Sequence, residues 1–238
     1  MSVKKTLVVI CLSLIALLVA AVVVGRFLVG VVPSGYQPKR LTEEELLRAE
    51  ELLWSIRADI YTEAQVAKPF ILELTLDQIK EMLAVVDQRY RVFPEHITAP
   101  DILLEKGALW AYALVTWKGQ QSVVSIRVRP FIDSAGLLHV ELGEIKAGAL
   151  GLPDNFLPET LAQVERSLSI ELASSASDSD AAMVAEKNPD VLTRVFTALH
   201  GAPVPADFVT REDLRMTIKD IRIAAEQIEI EFQPQLQN

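Results

Sequence analysis

The spacing of apolar and polar positions changes along this chain, and each change predicts a different kind of element. From Leu7 to Gly25 there is no charge, and most residues are Leu, Ile or Val. At 1.5 Å rise per helical residue, about nineteen such residues cross most of a hydrocarbon layer of about 30 Å. The run predicts a transmembrane helix, with Arg26 placed at its end where a long cationic side chain can snorkel to the interface. A cleaved signal peptide has an apolar core of about 7 to 15 residues and a small-x-small site, whereas this run is longer and ends Val22-Val23-Val24-Gly25. Retention as an anchor is therefore expected. Cys11 follows Val8, Val9 and Ile10, so the small residues that precede a lipoprotein cysteine are missing. Lys4 and Lys5 place the N-terminus in the cytoplasm and export the remainder, while Arg26, Lys39 and Arg40 pull the other way.

Pro33, Ser34, Gly35 and Pro38 interrupt the pattern and read as a linker over 33–41. Helical spacing follows. Thr42 with Glu45 forms a capping box, and Leu46, Ala49, Leu53, Ile56 and Ile60 recur at three and four, widened by Leu47 and Leu52. This predicts a helix to about Ala64. The stripe spans two heptads, short of the three or four a coiled coil usually takes, so packing on the chain's own sheet is expected. Pro69 to Leu74 reads as a strand. Thr75-Leu76-Asp77-Gln78 is a second capping box, opening a helix with Leu76, Ile79, Met82, Leu83 and Val86 on one face. Tyr90 to Pro100 reads as irregular.

The period then becomes two. Ile102 with Leu104, Ala108 to Trp117, Ser122 to Ile132 and Leu137 to Ile145 predict an antiparallel meander with turns at Lys106-Gly107, Lys118-Gly119 and Asp133-Ser134-Ala135-Gly136. Val124, Ile126 and Val128 alternate with Ser125, Arg127 and Arg129, so that strand has one dry and one wet face. The strand before it differs. Leu109, Ala111, Ala113, Val115 and Trp117 form one face and Trp110, Tyr112 and Leu114 the other, both apolar. Such a strand is either sandwiched between layers or lines an apolar ligand cavity, with Ala111 and Ala113 leaving room. Pro158 and Pro189 each open a further helix, the second running through Leu192, Val195, Phe196 and Leu199 to stop at Gly201. Ser174 to Asp180 reads as an exposed loop. Leu214, Met216 and Ile218 share one parity and Ile221 and Ile223 the other, which predicts a bulge near Lys219-Asp220. A turn at Ala224 to Gln227 and a strand through Ile228, Ile230 and Phe232 close a hairpin.

Composition narrows the function. The net charge of −9 argues against nucleic acid, whose phosphates call for a basic surface. The one cysteine lies in the apolar run, so the rest has no disulfide and no thiol nucleophile. His96, His139 and His200 show no metal-ligand spacing, and no metalloprotease, nucleophile-elbow or phosphate-loop motif occurs. No metal and no cofactor are expected. Glu141 and Glu144 would point to opposite faces of a strand, which argues against a carboxylate pair. Trp54, Trp110 and Trp117 read as core residues, and Arg127 and Arg129 as a wet sheet face.

The anchor, the Thr75-Leu76-Asp77-Gln78-Ile79 helix start, the meander ending Gly148-x-Leu150-x-Leu152-Pro153 and the closing hairpin from Ile218-Lys219-Asp220-Ile221-Arg222-Ile223 to Ile228-Glu229-Ile230 resemble YpmS-like and LmeA-like anchored bacterial envelope proteins. These are similar to tubular lipid-binding (TULIP-like) folds, in which a long curved sheet wraps a helix around an apolar groove. The resemblance covers roughly 70–232 and carries over no individual ligand residue. The Ser/Asp loop and the extended first helix depart from the pattern. Taken with it, the expected fold class is α+β, an N-terminal transmembrane helix followed by a curved antiparallel meander sheet packed against helices. Its parts are a cytoplasmic tip and anchor over 1–32, the linker over 33–41 and an extracytoplasmic domain over 42–238. The expected function is that of a non-catalytic, single-pass protein of the bacterial cell membrane that binds lipid or another apolar ligand, lined by Leu109, Ala111, Ala113 and Val115. The alternative is a scaffold of an envelope complex, motivated by the stripe from Leu46 to Ile60.

Overall fold

The computed structural model describes residues 28–91, 93, 95–117, 119–152, 194, 197–211 and 214–236. The apolar run Leu7 to Gly25, the helix expected from Pro158, the Ser174 to Asp180 loop and most of the Pro189 helix lie outside them. Among the described residues no helix is long and apolar enough to cross a membrane. What is described is α+β with sheet dominating.

Two helices open the body. Helix α1 (Glu43–Gln65) starts on the expected box: the Thr42 side chain accepts from the Glu45 amide, and the Glu45 carboxylate accepts from the Thr42 amide at 2.8 Å. Its stripe turns inward. Leu46 and Ala49 pack on Val85, while Ile60, Tyr61 and Ala64 pack on Met216 and Phe232. After β1 (Phe70–Thr75), helix α2 (Leu76–Gln88) begins on the Thr75–Gln78 box. Orphan amides at both N-termini are thereby satisfied by side chains only three residues away.

The meander follows as β2 (Ile97–Glu105), β3 (Ala108–Trp117), β4 (Gln120–Ile132) and β5 (Leu137–Ala147), extended by the short β6 (Leu150–Gly151), with β7 (Val204–Pro205) paired to the outer end of β5. Then β8 (Asp207–Arg211), β9 (Leu214–Ile223) and β10 (Gln227–Leu236) join β1 in a second sheet of order β1-β10-β9-β8. All pairs are antiparallel. The bulge in β9 falls where parity predicted it. Asp220 pairs with Glu231 and Ile218 with Phe232, leaving Lys219 unpaired between them. Every apolar residue of β9 then faces one way. The two sheets meet through Ile102, Leu104 and Leu109 of the larger and Ile221, Ile223 and Ile228 of the smaller, with Ile79 of α2 among them.

The structure corrects several expectations. Ile97 to Pro100 are not irregular but begin β2, with a register shift between Thr98 and Asp101 and Ala99 at φ +49°. β2 is an edge strand, where a proline at a bulge costs no ladder bond. Glu141 and Glu144 share the wet face, because a bulge in β5 pairs both Leu142 and Ile145 with the dry residues Val128 and Ile126. Each acid has its own cation, Arg129 at 3.4 Å and Lys146 at 3.0 Å. Trp54 is 57 % exposed and Leu47 52 %, so neither is core; both lie outside the inward stripe, and the Arg57 guanidinium stacks on the Trp54 ring at 5.4 Å.

Residues 28–40 form no strand, yet they are docked on the larger sheet. The Leu28 carbonyl accepts from the Ala149 amide and the Val29 carbonyl from the Ser122 hydroxyl, both at 2.8 Å. Tyr36 donates its hydroxyl to the Ala99 carbonyl at 2.8 Å, and Lys39 bridges Asp77 and Glu81 of α2 at 2.8 Å each. Gly148, at φ +59°, permits the crossing: a Cβ there would stand 2.3 Å from the Leu28 carbonyl oxygen.

Candidate functional site

The outer end of β5 opens into a cleft of about 350 Å³ bounded by β7, β8, β9 and the helical turn at 197–199. Leu138 and Val140 reach it from β5, four and two residues before Leu142, so all three share one face of the sheet. β7 pairs Val204 with Leu138 and closes one side. On the other, the Ile218 amide donates to the Ala206 carbonyl at 2.8 Å, which brings Ile218 and Phe208 to the wall. Ala198 and Leu199 line it from the helical turn, which ends at Gly201 as expected: its φ is +82° and its amide donates to the Ala198 carbonyl at 2.9 Å.

The wall is apolar, and the charge sits at its rim. Arg194 and Asp207 both line the cleft. Arg194 donates from one terminal nitrogen to the Asp207 backbone carbonyl and stands 4.0 Å from its carboxylate. That carboxylate is engaged instead by Arg215, whose Nε reaches Oδ2 at 2.7 Å and whose terminal nitrogen reaches the same oxygen. The hydrogen bonds from Arg215 hold the Asp207 carboxyl below the usual range against the opposing effect of burial, and the charges of Arg215 and Arg194 add to them. Two guanidinium groups thus share one carboxylate.

The four residues expected to line a ligand site stand elsewhere on the same face of the larger sheet, whose opposite face is not wet throughout as expected, since Ser125 is buried there at 1 % exposure. Leu109 packs into the inter-sheet core beside Ile102, Leu104 and Ile223. Ala111 sits between Ile102 and Ile126, Ala113 opposite Val124, and Val115 between Ile97 and Ser122. All four are half-buried, and none lines the cleft. The residues that do, Leu138, Val140 and Phe208 among them, carry no mark in sequence, since an alternation that lines a cleft looks the same as one that packs a core.

Polar clusters elsewhere are internally satisfied. Asp101, whose side chain is fully buried, bridges Lys80 at 2.8 Å and accepts from the Gln37 amide at 2.6 Å and the Ile102 amide at 2.8 Å. Burial, reinforced by the charge of Asp101, pushes the neighbouring Tyr36 hydroxyl above its usual range. His139 stands 2.7 Å from the Asp133 carboxylate, which also accepts from the Ala135 and Leu137 amides of the β4–β5 turn. Among the described residues no group of three or more His, Cys, Asp or Glu side chains could hold a metal ion. No family model, curated protein or solved structure matches this chain.

Proposed function

We propose that this protein is a membrane-tethered, non-catalytic carrier or sensor of an apolar ligand, and that the ligand occupies the cleft at the outer end of β5. The observation that carries the reading is the cleft itself: about 350 Å³ with apolar walls, within the range of about 300 to 1,000 Å³ that suits small-molecule sites. An acyl chain there gains about 0.8 kcal/mol for each methylene taken out of water, so affinity needs no polar motif. The apolar run Leu7 to Gly25 supports the tether, and with Lys4 and Lys5 it supports a body outside the cytoplasm. The resemblance to anchored envelope proteins with tubular lipid-binding folds points the same way. The scaffold alternative has less behind it, because the stripe that motivated it packs on α2 and on the smaller sheet.

The test is photo-crosslinking of the full chain in phosphatidylcholine nanodiscs with a diazirine-bearing twelve- to sixteen-carbon fatty acid, followed by peptide mapping. Labels are expected on the segments holding Val140 and Phe208, and Val140→Trp, which fills the cleft, is expected to remove them at an unchanged unfolding midpoint. Labelling confined to other surfaces, or insensitive to Val140→Trp, sinks the proposal.

A further inference from the structure

The rim of the cleft carries information that its walls do not. Arg194 lines the cleft with its side chain 37 % exposed, and among the described residues its contacts go to Asp207. A guanidinium has five N–H donors in a flat fork, and one of these serves the Asp207 carbonyl. The Asp207 carboxylate offers it only Oδ1, at 4.0 Å, because Oδ2 takes both the Nε and a terminal nitrogen of Arg215. Among the described residues, one carboxylate, Asp207, thus serves two guanidinium groups, Arg194 on the cleft and Arg215 beside it, and Arg194 keeps N–H donors to spare on a chain whose net charge is −9. A local cation above an apolar slot matches a molecule built in the complementary way.

We infer that the ligand is an anionic single-chain amphiphile, its hydrocarbon tail in the cleft and its carboxylate or phosphate head paired with Arg194. This rests on the cleft being the ligand site. The fork geometry favours an oxyanion, carboxylate or phosphate, with two oxygens placed to accept two parallel hydrogen bonds, a charged pair of acceptors that a neutral alcohol or ester lacks.

The experiment compares probes of one chain length in the full chain in phosphatidylcholine nanodiscs: a diazirine fatty acid, the corresponding fatty alcohol and the corresponding alkyl phosphate. Each is titrated while cleft labelling is read by peptide mapping. The acid and the phosphate are expected to half-saturate at about tenfold lower concentration than the alcohol, equivalent to about 1.4 kcal/mol. Arg194→Gln is expected to bring both up to the alcohol's value in that same variant, and Arg194→Lys to restore part of the preference. Raised salt is expected to narrow the gap. Equal labelling by all three probes in the unaltered chain overturns this inference and leaves the apolar-ligand reading standing. Absence of cleft labelling by any probe overturns both. A preference that survives in Arg194→Gln refutes the assignment to this residue.

Discussion

At the scale of single residues, Asp101 is the most consequential side chain in the described body. It is one acid among many in the sequence, with no motif to single it out, yet it is fully buried and holds Lys80 and the Gln37 amide together. Removing one partner of a buried pair strands the other charge, which typically costs about 3 to 5 kcal/mol. Asp101→Asn leaves the Lys80 ammonium, 15 % exposed, without its anion. The expected loss is about 3 kcal/mol in chemical denaturation, and Lys80→Met with Asp101→Asn together is expected to recover most of it. Asp207 makes a prediction about acid. Its folded carboxyl titrates below the usual range because Arg215 binds the charged form. The associated stability is complete above an unfolded value of about 3.9 and disappears as pH falls through the lower folded value. Unfolding midpoints measured between about pH 5 and pH 2 are expected to fall less steeply in Asp207→Asn than in the unaltered chain. A burial-raised carboxyl works in the opposite sense. Asp87, raised by burial against the hydrogen bond from the Ala99 amide and the charge of Arg40, favours the folded state more when protonated.

At the scale of elements, most of the described strands and helices were legible, and the reason is local. A capping box is decided within four residues, and Thr42–Glu45 and Thr75–Gln78 both close as read. The bulge was legible because parity is a one-dimensional record of which face a side chain takes, and Ile218 and Ile221 break it. Deleting Lys219 is therefore expected to close the ladder with every apolar residue of β9 still on its face, at a cost below about 1.5 kcal/mol. Deleting Arg222 moves Ile223 to the wrong face and is expected to cost about 3 kcal/mol or more, by denaturation of the two deletion variants side by side. What local pattern could not reveal was tertiary. The prolines and glycine of 33–38 punctuate the chain identically whether it dangles or lies against a sheet, and only the sheet decides. Trp54 misled for the same reason: a tryptophan suggests a core, but its place on α1 is outside the inward stripe. The cleft was illegible because it is assembled from β5, β7, β8, β9 and a helical turn, far apart in sequence.

At the scale of the whole molecule, the docked segment 28–40 ties the beginning of the chain to the body at Gly148. Gly148→Ala adds a Cβ that cannot coexist with the Leu28 carbonyl and also strains a φ of +59°. The expected result is a loss of about 2 kcal/mol and faster hydrogen exchange at the Ala149 amide, whose acceptor is Leu28. Gly148 adjoins one end of β5 and Val140 looks into the cleft near the other. At about 3.3 Å per residue these points are roughly 26 Å apart. With Leu7 to Gly25 in a bilayer, only Arg26 and Phe27 separate hydrocarbon from the first docked residue. Under the proposed tether and cleft, so short a spacer keeps the cargo port within a small radius of the point of emergence, and a donor or acceptor beyond that circle must travel to it.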